Sequence, residues 1–202
     1  MQLLRLEKVK KNYRVILEEK PLGILDKREL YSAGLDTDLP EESEEKLVTD
    51  SLGDVLRESI HFKAYETCVK MLAVTEYSAG ELRFKLRFRG YAEEVIDVVI
   101  ERLYANGYIS DERYVESYVR SYAGKKGKKS ILFELEQKGL GVSNLESLVD
   151  RIYAEEGLSE TAARDALLEK KFRNADPEDP AVQRRKRAFL YRRGFRPDTN
   201  ED

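Results

Sequence analysis

Three segments of the chain close in the same way. EYSAGELRFKLRFRGY (76–91), KKSILFELEQKGL (128–140) and RRKRAFLYRRGF (184–195) are charged amphipathic stretches, each ending in Gly plus a large apolar residue: Gly90-Tyr91, Gly139-Leu140 and Gly194-Phe195. Gly90 and Gly139 lie 49 residues apart, and Gly107 and Gly157 lie 50 apart, with YANGYIS at 104–110 answered by YAEEGLS at 153–159. A period near fifty, with helical spacing of apolar residues inside each period, restricts the fold to tandem three-helix units.

The spacing predicts the helices of each unit. In the first, Tyr65, Cys68, Val69 and Leu72 fall at i, i+3, i+4, i+7. Ser78 stands three residues before Glu81, a capping box opening a second helix that carries Leu82 and Leu86. Gly90 ends it as a left-handed residue. VIDVVIE is β-branched, but the Ala92/Val95/Val99/Leu103 stripe makes it the third helix. In the second unit Tyr114, Tyr118 and Tyr122 repeat at i, i+4, i+8; Ile131 and Leu135 keep the offsets of Leu82 and Leu86; Leu145, Leu148, Val149 and Ile152 form the next third helix. A last unit starts at Ser159 with Ala163, Ala166 and Leu167 on one face, breaks at NADPEDP, restarts at Asp179-Pro180 and has only two helices.

Ahead of the helices the period is two. Tyr13, Val15 and Leu17 alternate with Arg14 and Ile16, which predicts strands flanking a Lys10-Lys11-Asn12 turn, with Leu22–Leu25 as a short third. DTDLPEESEE (36–45) reads as an acidic linker or helix start. Charged residues make up 37 % of the chain, which suits several small units better than one sphere. The expected fold is mainly α: tandem three-helix repeats in an elongated array, with a small N-terminal β-hairpin segment. The expected divisions are a hairpin segment at 1–35, linker and helix start at 36–58, units at 59–107 and 108–157, and a partial two-helix unit at 158–202.

The chemistry expected is that of a binding protein. One cysteine and one histidine build neither a disulfide framework nor a Cys/His metal site. G-x-S-x-G is absent, and GKKGKKS (124–130) lacks the spacing and the preceding strand of a phosphate loop. Neither catalysis, cofactor nor metal is expected. No run of about 20 apolar residues and no signal-peptide core are present, so a soluble cytoplasmic protein without a membrane segment is expected. Net charge is only −3, but the cations cluster. Lys125, Lys126, Lys128 and Lys129 crowd one loop. Arg184, Arg185, Lys186, Arg187, Arg192, Arg193 and Arg196 crowd the last helix and its end with no acid among them. These are the candidate contacts with DNA or an acidic partner, and Phe189 and Tyr191 among them are candidates for core or for base stacking. At 100° per residue Phe84 and Phe88 point away from Leu82 and Leu86, and Phe133 holds the place of Phe84 in the second unit, so these three are interface candidates.

Taken together, MLAVTEYSAGELRFKLRFRGY (71–91), LYANGYISDERYVESYVRSYAGKKGKKSILFELEQKGL (103–140) and RRKRAFLYRRGF (184–195) resemble the RecX family. Ser78, Glu81, Leu82, Lys85, Leu86, Gly90, Tyr91, Gly107, Tyr108, Asp111, Arg113, Tyr114, Glu134, Leu135, Lys138 and Gly139 carry the resemblance, which covers about 60–196. Thr75 and Ser110 depart from the pattern, as does the missing last helix. The resemblance implies a non-enzymatic, monomeric regulator that binds RecA or the RecA–DNA filament. It would modulate, by inhibition, ATP hydrolysis and strand exchange in recombination, DNA repair and the SOS response. The alternative is a helical DNA- or RNA-binding protein acting without RecA.

Overall fold

A computed structural model of the chain describes residues 1–35 and 39–195, and Arg196 lies outside the described residues. The chain divides into two compact units, Met1–Ile109 and Ser110–Asp202.

The first unit begins with β1 (Gln2–Val9), β2 (Asn12–Leu17) and β3 (Lys20–Asp26), followed by α1 (Lys27–Ser32) and β4 (Ser43–Val48). The strands form one antiparallel sheet in the order β3-β2-β1-β4. The expected hairpin around Lys10-Lys11 is present, with Leu6 opposite Val15 and Leu4 opposite Leu17. The β2–β3 turn is only Glu18-Glu19, both at positive φ (49° and 63°), the backbone that a two-residue hairpin turn demands.

The sheet is larger than a hairpin, and the acidic stretch is the reason. Ser43–Val48, within and just after the segment read as linker or helix start, is the edge strand β4 and pairs with β1. Arg5 Nη1 of β1 donates to Glu45 Oε1 of β4 at 3.3 Å, and Lys8 Nζ lies 3.6 Å from Glu41, just before β4. Cross-strand ion pairing of this kind has no signature in the local hydrophobic period.

Three helices complete the unit: α2 (Asp50–Leu72), α3 (Ala79–Phe88) and α4 (Glu93–Ala105). α2 begins at Asp50 and runs unbroken past residue 58. Its buried stripe is Gly53, Leu56, Ile60, Ala64 and Cys68, with Tyr65, Val69 and Leu72 packed at the flank. The Ser78–Glu81 capping box forms in both directions, at 3.2 and 3.1 Å. Sheet and helices share one core, which runs from Leu4 and Leu25 through Ile60 and Leu86 to Leu103. The contact is close at Gly23, where a Cβ would sit 2.8 Å from both Ile60 Cγ2 and Tyr91 Cδ1, while the Ala92 amide donates to the Leu22 carbonyl at 3.0 Å.

The second unit holds α5 (Asp111–Tyr122), α6 (Lys128–Glu136), α7 (Leu145–Glu155), α8 (Glu160–Phe172) and α9 (Pro180–Tyr191). Its core is built from Val115, Val119, Ile131, Leu135, Val149 and Ile152, flanked by the stacked rings of Tyr114, Tyr118 and Tyr122. The last repeat provides two helices among the described residues, and α8 buries none of its residues fully. α9 buries Val182 and Phe189.

What fastens the last repeat is a backbone contact. The Gly127 amide, at the start of α6, donates to the Arg193 carbonyl at 2.8 Å. A Cβ on Gly127 would lie 2.2 Å from the Gly194 carbonyl oxygen, and one on Gly194 (φ +73°) would lie 2.4 Å from Ser130 Cβ. Only glycine admits two chains this close. Phe195, the apolar residue of the closing pair, is buried beside it.

Candidate functional site

The bond between Gly127 and Arg193 joins the two basic segments that stand some sixty residues apart in the chain. The lysine loop and the end of α9 are therefore parts of one surface.

Not every candidate cation is offered to a partner. Lys126 is half-buried and salt-bridged to Glu134 at 2.7 Å, with its ammonium 4.4 Å above the Tyr122 ring. Lys128 pairs with Asp150 and lies over the Tyr153 ring. Lys125 and Lys129 remain exposed. On α9 and its end Arg184, Arg185, Arg187 and Arg192 are exposed, Lys186 and Arg193 are half-buried, and Arg193 stacks 4.2 Å from the Phe189 ring. Phe189 is 5 % exposed, its ring in contact with Arg193 and with Lys171 (4.3 Å), so of the two readings it is core rather than a stacking platform. Tyr191 points to solvent.

The neutralising partner that the sequence hides is Glu134. Burial pushes its carboxyl upward, but hydrogen bonds from Lys126, Tyr118 and Ser130 outweigh this and hold it below the ordinary carboxylate range. Burial, then Glu134 itself, pushes the Tyr118 phenol well above its ordinary value. A depressed carboxyl contributes stability that is complete above the unfolded value, near ~4.3, and is lost as pH falls through the folded one. Glu134→Gln is therefore expected to weaken the second unit near neutral pH and to match the parent at the acid extreme. Urea midpoints measured across pH check this, and an equal deficit at both ends would assign the loss to packing instead.

A wider cleft opens beside α9. About 920 Å³ in volume, it lies between the end of α8, the turn after it and one face of α9. Lys170, Lys171 and Arg173 line it together with Arg185 and Arg192. The first three escape a reading by sequence because Glu169 precedes them and because cations in a last helical turn look like complements to the helix dipole. Three cations in four residues, EKKFRN, were the available signal.

The aromatic candidates are exposed as their helical phase predicts: Phe84 66 %, Phe88 86 % and Phe133 63 %. Leu82, Leu86, Ile131 and Leu135 are fully buried on the opposite faces. Beside Phe84 and Phe88, Arg83 and Arg87 are tied to Asp97 and Glu93 of α4, the Arg87–Glu93 fork including a 2.9 Å bond. That leaves the rings as the prominent feature of this face. Cys68 is buried, its thiol pushed up to about 11 by burial, and so is unreactive. Among the described residues no group of His, Cys, Asp and Glu is arranged to hold a metal, and no helix is long and apolar enough to cross a membrane.

Fold and surface together define a class: tandem three-helix domains that turn cationic helices and isolated aromatics outward. Comparison with known proteins makes the class specific. Family models described as the first, second and third three-helix domains of RecX match residues 64–103, 110–145 and 162–199. "Regulatory protein RecX" of Mycobacterium sp. (strain JLS) is 36 % identical over 138 residues, covering 66 % of this chain and 75 % of the relative. That of Pseudomonas entomophila (strain L48) is 34 % identical over 131 residues, covering 64 % and 81 %. The chain belongs to the RecX family. Two crystal structures share the fold: regulatory protein RecX (TM-score 0.58, 21 % identity, 97 % of this chain and 95 % of that one) and RecX from Lactobacillus salivarius (TM-score 0.53, 24 % identity, 68 % and 90 %).

Proposed function

We propose that this chain acts without chemistry of its own, by binding RecA or the RecA–DNA filament and restraining ATP hydrolysis and strand exchange in recombination and repair. The observation that carries the reading is the fused basic surface of the second unit. Lys125, Lys129, Arg184, Arg185 and Arg192 stand exposed there, fed by two repeats and joined at the Gly127–Arg193 bond. A filament of protein on DNA offers both phosphates, which suit the cations, and protein surface, which suits the exposed rings of Phe84, Phe88 and Phe133. In this reading the protein works in the cytoplasm as a monomer.

The test is RecA ATPase on single-stranded DNA, titrated with this protein. Hydrolysis is expected to fall at sub-stoichiometric to equimolar protein, and strand exchange with it. If both stay unchanged, the reading fails. The second reading, a nucleic-acid binder acting without RecA, draws on the same exposed cations. Binding to bare DNA that is tighter than binding to the filament, and steeply salt-dependent, would favour it.

A further inference from the structure

The cleft between α8 and α9 differs from the rest of the basic surface in how its charges are held. Lys170, Lys171, Arg173, Arg185 and Arg192 converge on it, and no carboxylate lines it. Among the described residues none of the five pairs with an acid. The contrast with the neighbouring repeats is direct. There Arg83, Arg87, Lys126 and Lys128 each have a carboxylate from their own bundle. At the cleft a ring, not an acid, stands beside two of the cations. The Phe189 ring takes both Lys171 and Arg193, at 4.3 and 4.2 Å from its centroid, and Phe172 meets Phe189 edge-on at 5.9 Å. A ring face positions a cation without neutralising it.

Counting from the closing glycine shows a second difference. The positions that carry Phe84 and Phe88 before Gly90 carry Ala188 and Arg192 before Gly194. Where the first repeat turns two aromatic rings outward, the last carries an alanine and a cation.

We infer that the α8–α9 cleft is a binding site for the phosphodiester backbone of a nucleic-acid strand, and that it holds the strand without reading its bases. Mutual repulsion of five gathered cations calls for a polyanion. Three of them are guanidiniums, whose paired N–H groups fit the oxygens of successive phosphates. Of the two rings that line the cleft, Phe189 is buried against Lys171 and Arg193, and Phe172 is half-buried with an edge contact to Phe189. An acidic peptide fits less well, because peptide docking relies on a central apolar anchor, and the buried Phe189 offers no open socket for one. The inference deepens the proposed function by giving the filament's DNA a defined contact, and it rests on that reading for its biological setting only.

The experiment uses the whole chain and no recombinase, so its failure leaves the ATPase result standing. Fluorescence anisotropy would compare a labelled oligothymidylate with an abasic oligomer of equal length, with inorganic tripolyphosphate and poly-glutamate as competitors. The two oligomers are expected to bind within about twofold of each other, since no base is read. The triple variant Lys170→Glu/Arg173→Glu/Arg185→Glu is expected to lose more than about tenfold in affinity. It should also flatten the slope of log affinity against log salt by about 2, the share of three phosphate contacts on a single strand. Lys170→Gln/Arg173→Gln/Arg185→Gln gives the milder form should charge reversal disturb folding. Lys10→Glu/Lys11→Glu, in the first unit, should leave affinity within about twofold. Loss of binding on removing the bases would overturn the inference, as would an unchanged salt slope in the triple variants. Poly-glutamate competing as well as tripolyphosphate at equal charge would also overturn it, in favour of an acidic protein ligand.

Discussion

Gly194→Ala is expected to release α8 and α9 from the rest of the second unit. Two costs combine at this residue. A side chain at φ +73° is strained by about 1 kcal/mol, and the added carbon would sit 2.4 Å from Ser130 Cβ and 2.9 Å from the Ser130 amide nitrogen. Overpacking against backbone adds about 1–3 kcal/mol. The sum, about 2–4 kcal/mol, falls on a repeat whose first helix buries no residue fully, so the loss should appear there. Gly107→Ala isolates the first cost. Gly107 has φ +69° and nothing within 4 Å of its would-be Cβ, so only the strain of about 1 kcal/mol applies. Native-state hydrogen exchange should show lost protection in α8 and α9 for Gly194→Ala, with β1 to α4 unchanged. Gly127→Ala should act in the same way by a different route, because φ is ordinary there and the clash, 2.2 Å to the Gly194 carbonyl, is the whole effect. If Gly194→Ala costs no more than Gly107→Ala, the glycine pair is not what holds the last repeat.

The second large effect separates core from interface on a single helix. Leu86 is fully buried in the core that the sheet and α2 to α4 share, so Leu86→Ala should cost about 2–5 kcal/mol. Phe84, two residues away, is 66 % exposed, and Phe84→Ala should cost clearly less despite removing the larger side chain. Urea unfolding of both variants, beside the RecA assays, gives the decision. A small stability loss with a large loss of filament regulation would place the ring on the partner. Small losses in both would make it an inert patch, and the aromatic repeat at Phe84 and Phe133 would then be architecture alone.

Much of the fold is legible because it is local. The Ser78–Glu81 box, the left-handed Gly90 and the Leu82/Leu86 and Ile131/Leu135 pairs all act within one helical turn or two. So the repeats, their helices and the outward phase of Phe84, Phe88 and Phe133 follow from residue order. The strand at Ser43–Val48 does not, because its reason lies forty residues away, in the edge of β1 with which it pairs.

The candidate site divides along the same line. Which residues are cationic, and that they cluster near 125–129 and 184–193, is a property of the chain. Which of them face outward is not: Glu134 withdraws Lys126 and Asp150 withdraws Lys128, from other turns and another helix. That the two clusters are one surface, and that Lys170, Lys171 and Arg173 belong with Arg185 and Arg192, is decided by packing: Gly127 meeting Gly194, and the end of α8 folding against α9. Helical periodicity acts over a few residues and is written in their order. Charge pairing and close approach depend on distances across the fold, and those exist only once the chain has closed on itself.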